Sequence, residues 1–272
     1  MIVGKKARFH DPDLSWSVFR RRFGSEALHL IGGLLVTLST RGKPPVWSDL
    51  FPERRKCRDA MYRLKRDGLI AERGGAYRQP TLILTEEGRS KLNPAMDPER
   101  FWRRRWFGTW FVLVYDVPEE ERAYRDALRG FLQRKRMGQL QRSVWVSPDD
   151  IRGEFADLRD AAGLDEYAFL LESQTLLDVE PQTIVHRAWN LAKLEAEQER
   201  YCAYCRECFG IVTRGRTRGP ALGQLVREEL TAYLSVMTKD PLLPRAVLPA
   251  DYSGFRAYDL HEQFVHQVTL RL

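Results

Sequence analysis

The pattern of apolar and polar positions divides the chain into segments of helical and of strand periodicity. Apolar side chains at 28, 31, 34, 35 and 38 keep helical spacing, so a helix is predicted from Glu26 to about Ser39. The segment RGKPP then breaks this helix, because proline and paired turn residues cannot continue it. Beyond the break, a helical pattern resumes over residues 54–66.

The apolar stripe of this second helix consists of Cys57, Ala60, Met61 and Leu64. Asp67-Gly68 is expected to end the helix, because glycine suits the left-handed position that follows a helix. Residues 69–84 then indicate two short strands around Gly74-Gly75, a hairpin signal. A helix, a turn, a basic helix and a hairpin predict a winged helix-turn-helix, which we assign to residues 1–95.

Strands and helices alternate in the middle of the chain. A strand is predicted over 109–115, a helix over 119–135, two strands over 137–147, a helix over 147–161 and a strand over 166–172. This βαββαβ order is that of a ferredoxin-like sandwich of four antiparallel strands under two helices. The predicted domain covers residues 96–178, and the fold class of the chain is α+β.

Residues 179–272 show no strand pattern and are predicted to form a helical domain. Helices are expected over 183–209, 221–237 and 255–268. The connector KDPLLPRAVLPADYSG, which joins the last two helices, is interrupted by prolines and is predicted to follow a surface.

Composition and length are those of an ordinary globular protein. The chain has 272 residues, of which 43% are apolar and 30% are charged, so it has room for two or three small domains. Its longest apolar run is too short to span a bilayer, and its four cysteines do not suggest a disulfide framework. We therefore expect a cytoplasmic, reduced protein without a membrane segment.

The formal charge of +7 becomes informative where the cations cluster, on helix 54–66. A cationic helix beside a hairpin predicts binding to double-stranded DNA, with side chains of the helix in the major groove. The alternative is a solvated cationic face. The predicted DNA-binding residues are Arg54, Arg55, Lys56, Arg58, Tyr62, Arg63 and Arg66 on the helix, and Arg73 and Arg78 on the hairpin.

Three other motifs leave alternatives open. FWRRRW at 101–106 suits either nucleic-acid stacking or tryptophan packing, and we favour packing. Asp116 ends the strand FVLVYD, where it is either a metal-binding acid or the residue that turns the strand into a helix, and we favour the turn. The spacing of Cys202, Cys205 and Cys208 permits an iron–sulfur interpretation, but a strongly helical sequence favours small apolar residues on one helix. No enzyme activity, cofactor or metal is predicted.

Three stretches resemble the PaaX family of bacterial transcriptional repressors. They are AMYRLKRDGLI at 60–70, WFGTWFVLVYDVPEEER continuing through LQRSVWVSPDD at 106–150, and DPLLPRAVLPADYSG at 240–254. Phe107 and the pair Tyr252-Ser253 depart from the family pattern, which leaves the ligand and the operator open. The central stretch also resembles the small ferredoxin-fold subunit of the CRISPR spacer-integration complex, some members of which have been regarded as metal-dependent nucleases.

The PaaX resemblance implies a homodimeric repressor that binds a palindromic operator and is released by an aryl- or acyl-coenzyme A thioester. Coenzyme A needs cations for its phosphates and an apolar slot for its acyl group. The candidates for this effector are Arg104, Arg105, His186 and Trp189. The second resemblance implies an alternative, a metal-dependent nuclease or sequence-independent nucleic-acid scaffold, with Asp116 as its candidate catalytic residue.

Overall fold

The computed structural model describes residue 32 and residues 54–75, 78–156, 167–174, 179–215 and 217–271. Two compact units result: unit 1 comprises Met1–Pro98, Ala196–Asp240 and Ser253–Leu272, and unit 2 comprises Glu99–Glu195 and Pro241–Tyr252. The helix predicted over 26–39 lies outside the described residues, apart from the helical Gly32. The division of the sequence at 95 and 178 stays a prediction.

Helices and strands both contribute to the fold, which confirms the predicted α+β class. The α-helices with both ends in the described residues are α1 (Arg54–Arg66), α2 (Glu86–Lys91), α3 (Glu99–Trp102), α4 (Arg122–Arg134), α5 (Pro181–Trp189), α6 (Leu191–Thr213), α7 (Gly219–Met237) and α8 (Ser253–Thr269). Residues 152–156 are also helical. The strands are β1 (Ile70–Gly75), β2 (Arg78–Leu84), β3 (Trp110–Tyr115), β4 (Gly138–Gln141), β5 (Val144–Ser147) and β6 (Ala168–Ser173). None of the helices in this part of the chain is long and apolar enough to cross a membrane.

Helix α1 buries its apolar stripe and ends where the sequence predicts. Cys57, Ala60 and Leu64 are buried. Gly68 has a φ of 68°, the left-handed conformation that glycine adopts without strain. The Leu69 amide donates to the Leu64 carbonyl, and the Gly68 amide donates to the Lys65 carbonyl, so two carbonyls of the last turn are satisfied.

The predicted hairpin is confirmed. Strands β1 and β2 pair antiparallel from Ile70 opposite Leu84 to Gly75 opposite Arg78. The first strand continues through Gly74-Gly75 instead of turning there, and residues 76 and 77 lie outside the described residues. The winged helix-turn-helix as a whole stays a prediction, because its first helix falls in the residues that the structure does not describe.

Unit 2 is built on one antiparallel sheet with the strand order β4-β5-β3-β6. All four predicted strands of the middle segment are present, and α4 connects β3 to β4, as in a ferredoxin-like sheet. Alternate residues of β3 (Phe111, Leu113 and Tyr115) pack into the core with Leu132 of α4 and Trp145 of β5. Each such buried side chain contributes about 1.5–3 kcal/mol, so this layer holds the sheet and the helix together.

Three predictions about helices need correction. The helix predicted over 147–161 begins at residue 152, because Ser147 is still the last residue of β5. The single helix predicted over 183–209 is two helices, α5 and α6, because Asn190 between them has a φ of 49° and breaks the helical hydrogen-bond pattern. Asparagine tolerates this left-handed conformation better than most residues. The helix predicted over 119–135 starts as the 3-10 helix Glu119–Glu121 before α4 begins.

A substitution at Gly138 tests the packing of β4 against α5. A Cβ atom there would lie 2.6 Å from both Ala188 Cβ and Trp189 Cδ2. We expect Gly138→Ala to destabilise the protein by about 1–3 kcal/mol, because overpacking forces backbone shifts. The measurement is the urea midpoint of unfolding.

Gly153→Ala is the matched control, because no atom lies within 4 Å of its added Cβ. Because residue 153 is helical, we expect the free energy of unfolding of this variant to equal that of the parent or to exceed it by at most about 1 kcal/mol. Equal midpoints for the Gly138 variant and the parent would contradict the described contact.

Candidate nucleic-acid interface

The outer face of α1 is cationic and aromatic. Arg55, Arg58, Tyr62 and Arg66 follow one another at spacings of three or four residues, which places them on one face of the helix. All four residues are exposed, and 66% of the surface of Tyr62 is accessible to solvent. Lys56 and Arg63 are exposed on one flank of this face. The helix therefore presents a continuous polar surface opposite its buried stripe.

The cations of α1 differ in how their charge is compensated. The guanidinium of Arg66 donates to Asp67 Oδ1 at 2.9 Å, and this bond raises the pKa of Arg66. Lys65 pairs with Glu72, and Arg55 Nε lies 3.9 Å from Asp59 Oδ2. Arg58 and Arg63 are exposed and have no ion-pair partner among the described residues.

For the other three predicted DNA-binding residues, Arg54, Arg73 and Arg78, the structure gives the position in the helix or strand. Arg54 opens α1. Arg73 pairs with Thr81 and Arg78 pairs with Gly75 in the β1–β2 ladder. Both hairpin arginines thus lie in the half of the ladder that ends at the turn.

Asp116 lies between the end of β3 and the 3-10 helix Glu119–Glu121, and its role in the turn stays a prediction. Pro118 occupies the cap position of the following 3-10 helix, which has no side-chain cap bond. Asp116 instead contributes its backbone amide, which donates to the Tyr167 carbonyl at 2.8 Å and extends the β3–β6 pairing. Its carboxylate is exposed. The nearby Glu119 bonds to Arg125 at 2.6 Å, which lowers the pKa of Glu119.

The four predicted effector residues all lie in unit 2 but serve different purposes. Arg104 donates to the Leu242 carbonyl at 2.6 Å and pairs with Asp149 at 2.7 Å, so its guanidinium is engaged within the fold. Trp189 Nε1 donates a hydrogen bond to the Arg136 carbonyl at 2.8 Å. Arg105 and His186, in contrast, are exposed.

The FWRRRW segment largely follows the packing interpretation. Trp102 is buried, and Trp106 packs against Trp110 with ring centroids 5.3 Å apart. Arg105 lies over the Phe107 ring at 5.5 Å from its centroid, and that ring is 77% exposed. This pair is the exposed aromatic and cationic part of the segment.

Sequence reasoning missed a buried polar cluster in unit 1. Glu229 of α7 is 0% exposed. Its Oε1 accepts a hydrogen bond from the Tyr201 hydroxyl at 2.5 Å and lies 3.0 Å from His261 Nδ1. Oε2 has no hydrogen-bond partner among the described residues. The signal in the sequence was a glutamate within the apolar stripe that includes Val226 and Tyr233.

The three closely spaced cysteines lie in α6 and are all buried. Burial raises the pKa of the Cys202 thiol to about 11 and that of Cys208 to about 12. Burial and the Glu229 carboxylate also raise the pKa of Cys205, whose Sγ donates to Glu229 Oε1 at 3.7 Å. Within the described ranges, no group of three or more His, Cys, Asp or Glu side chains is placed to hold a metal ion.

Comparisons with known proteins concern most of the chain. Residues 103–185 match the family model of the PaaX protein central Cas2-like domain, and residues 189–271 match that of the PaaX-like protein C-terminal domain. The transcriptional repressor PaaX of Escherichia coli (strain K12) is 25% identical over 220 residues, which cover 75% of this chain. The match spans 65% of that repressor, slightly less than two thirds of its length.

One solved structure shows a similar fold. The uncharacterised protein Rv0674 from Mycobacterium tuberculosis is 20% identical, with a TM-score of 0.50. The alignment covers 90% of this chain and 96% of that one. At this level of identity the likeness concerns the fold alone.

The cysteine environment predicts slow thiol chemistry in the native protein. With a pKa of about 11, about one Cys202 side chain in a thousand is a thiolate near pH 8, whereas in the unfolded chain, at the ordinary pKa of 9.0, it is about one in ten. We therefore expect Cys202 to react with a disulfide reagent at least about a hundredfold more slowly in native protein than in concentrated guanidinium. Absorbance of the released thiolate measures both rates, and a native thiol that reacts at the unfolded rate would contradict the described burial.

Proposed function

Since the chain belongs to the PaaX family, we propose that it is a DNA-binding transcriptional regulator, and specifically a repressor. The observation that carries the proposal is helix α1, which exposes Arg58 and Arg63 without ion-pair partners among the described residues. A helix of this kind, followed directly by a hairpin, suits the major groove of DNA.

The proposed contacts divide into two kinds. Arg55 and Arg58 lie in the first two turns of α1 and Tyr62 begins the third, and a recognition helix contacts base edges with its amino-terminal residues. Lys56 and Arg63 on the flank are assigned to phosphates, which fix register without reading sequence. Arg73 and Arg78, in the half of the hairpin near its turn, are assigned to the adjacent backbone or minor groove.

We further propose that the regulator binds as a homodimer. One α1 helix reads one half-site, so two copies related by a twofold axis require a roughly palindromic operator. In this proposal residues 1–95 form a winged helix-turn-helix, residues 96–178 a ferredoxin-like domain and residues 179–272 a helical domain. The two latter domains would hold the dimer and receive the effector.

The proposed effector is an acyl- or aryl-coenzyme A thioester, as the family resemblance implies. Of the four candidate side chains, Arg105 and His186 are exposed and therefore accessible to a ligand. Arg104 and Trp189 are engaged within the fold, so their part in the proposal is to support the surrounding structure.

The experiment begins with footprinting of the DNA upstream of the protein's own gene, with and without candidate acyl thioesters. Arg58→Ala is then expected to weaken binding to the protected site roughly five- to a hundredfold, the cost of losing one base contact. Fluorescence anisotropy with a labelled duplex measures the affinity, and circular dichroism checks that the fold is retained.

Arg129→Ala is the matched control, because Arg129 is an exposed arginine on a helix of unit 2. We expect its affinity to remain within about twofold of the parent value. Unchanged binding by Arg58→Ala would refute the assignment of α1. Cleavage of DNA or RNA that depends on a divalent cation and is lost in Asp116→Ala would instead support the nuclease alternative.

A further inference from the structure

A buried tyrosine of α7 bonds to the segment that follows the hairpin. The Tyr233 hydroxyl donates to the Ala95 carbonyl at 2.7 Å, and both residues are fully buried. They are 138 positions apart in the sequence and belong to the same unit. A buried carbonyl that loses its donor has no water to replace it, so this bond constrains the position of Ala95.

The segment around Ala95 is rigidly built. Ala95 lies in the 3-10 helix Pro94–Met96, and its amide donates to Asn93 Oδ1 at 2.9 Å. Asp97, which follows this helix, pairs with Arg89 of α2. This ion pair links the segment that contains Ala95 to α2.

Helix α2 is in turn fastened to the end of α1. Thr85 is the cap residue of α2. Its hydroxyl oxygen accepts a hydrogen bond from the Gly88 amide at 2.9 Å, and the hydroxyl donates to the Gly68 carbonyl at 2.6 Å. The Thr85 amide also donates to the Leu69 carbonyl at 3.1 Å. Gly88 packs so closely here that a Cβ atom would lie 1.9 Å from the Leu69 carbonyl oxygen. Gly68 and Leu69 are the residues that terminate α1.

The other side of Tyr233 belongs to the polar cluster of Glu229. Its ring stacks on His261 with centroids 3.9 Å apart and an interplanar angle of 9°. His261 Nδ1 lies 3.0 Å from Glu229 Oε1. Tyr233 also meets the Tyr201 ring edge-to-face at 5.7 Å. Tyr233 of α7 thus contacts a side chain of α6 and a side chain of α8 and also bonds to Ala95.

We propose that Tyr233 is a positioning residue for DNA recognition: it holds α1 in place through Ala95, α2 and Thr85. The bond between the Tyr233 hydroxyl and the Ala95 carbonyl is the contact on which this route depends. The proposal rests on the proposed function, since it concerns the same DNA-binding helix.

Two variants that each remove one buried hydroxyl test this role. Tyr233→Phe deletes the bond to Ala95 but keeps the aromatic ring, whereas Tyr201→Phe deletes the bond to Glu229 and leaves the Ala95 bond intact. We expect Tyr233→Phe to weaken operator affinity roughly three- to tenfold, about the worth of one hydrogen bond. Tyr201→Phe should leave affinity within about twofold.

Two further readouts separate positioning from general loss of structure. Stoichiometric titration gives the fraction of protein competent to bind DNA, and we expect this fraction to be the same for both variants and the parent. The slope of affinity against salt should also stay unchanged, because the number of phosphate contacts is the same.

Hydrogen exchange without DNA tests the contact independently of the proposed function. Amides of residues 85–98 should exchange faster in Tyr233→Phe than in Tyr201→Phe or the parent. Exchange that is unchanged in this segment would overturn the positioning role whether or not the protein binds DNA. Equal losses of affinity in the two variants, or an unchanged affinity in Tyr233→Phe, would also overturn it. If the parent binds no DNA, the proposed function fails and the exchange result still decides the contact.

Discussion

The amide of Gln198 is the constraint on which the path of the chain through its carboxy-terminal half depends. The chain leaves unit 1 at Asp240 and returns at Ser253. Gln198 Nε2 donates to Asp240 Oδ2 at 3.0 Å, and the Ser253 hydroxyl donates to Gln198 Oε1 at 2.6 Å. All three residues are buried, so each polar group needs its partner, since an unsatisfied one costs about 1–3 kcal/mol. The Gln198 side chain therefore bonds to both residues that flank the twelve-residue segment Pro241–Tyr252 of unit 2.

Because Pro241–Tyr252 is part of unit 2, the proline-rich connector differs from an ordinary exposed loop. Its first residues are buried, and Leu242 adopts a φ of 53°, which is costly for a leucine. The Arg104 guanidinium compensates by donating to the carbonyl of this same residue, while its other nitrogen pairs with Asp149. Arg104 of the FWRRRW segment, which the sequence offered as a nucleic-acid contact, thus binds the connector within unit 2.

Local features of the fold could be predicted from the sequence, and features that join distant positions could not. The end of α1 at Gly68 and the four strands of unit 2 follow from turn chemistry and periodicity, which act within a few residues. The break at Asn190 was missed because helical spacing continues on both sides of it. Gln198 finds its partners 42 and 55 positions away, and no local pattern carries that information. The cationic face of α1 was predictable for the same local reason, whereas the cluster around Glu229 was not.

The chemistry near Asp116 shows how a motif changes meaning in its surroundings. A hydrolytic metal site needs several oxygen ligands around one cation. At the end of β3 the exposed carboxylate of Asp116 has Glu119 nearby in sequence, but Glu119 is held by Arg125. Asp116 joins the sheet through its backbone amide, a role that any residue other than proline can fill. The side chain is therefore not required by the fold, and its removal reports on chemistry alone, without disturbing the strand that carries it.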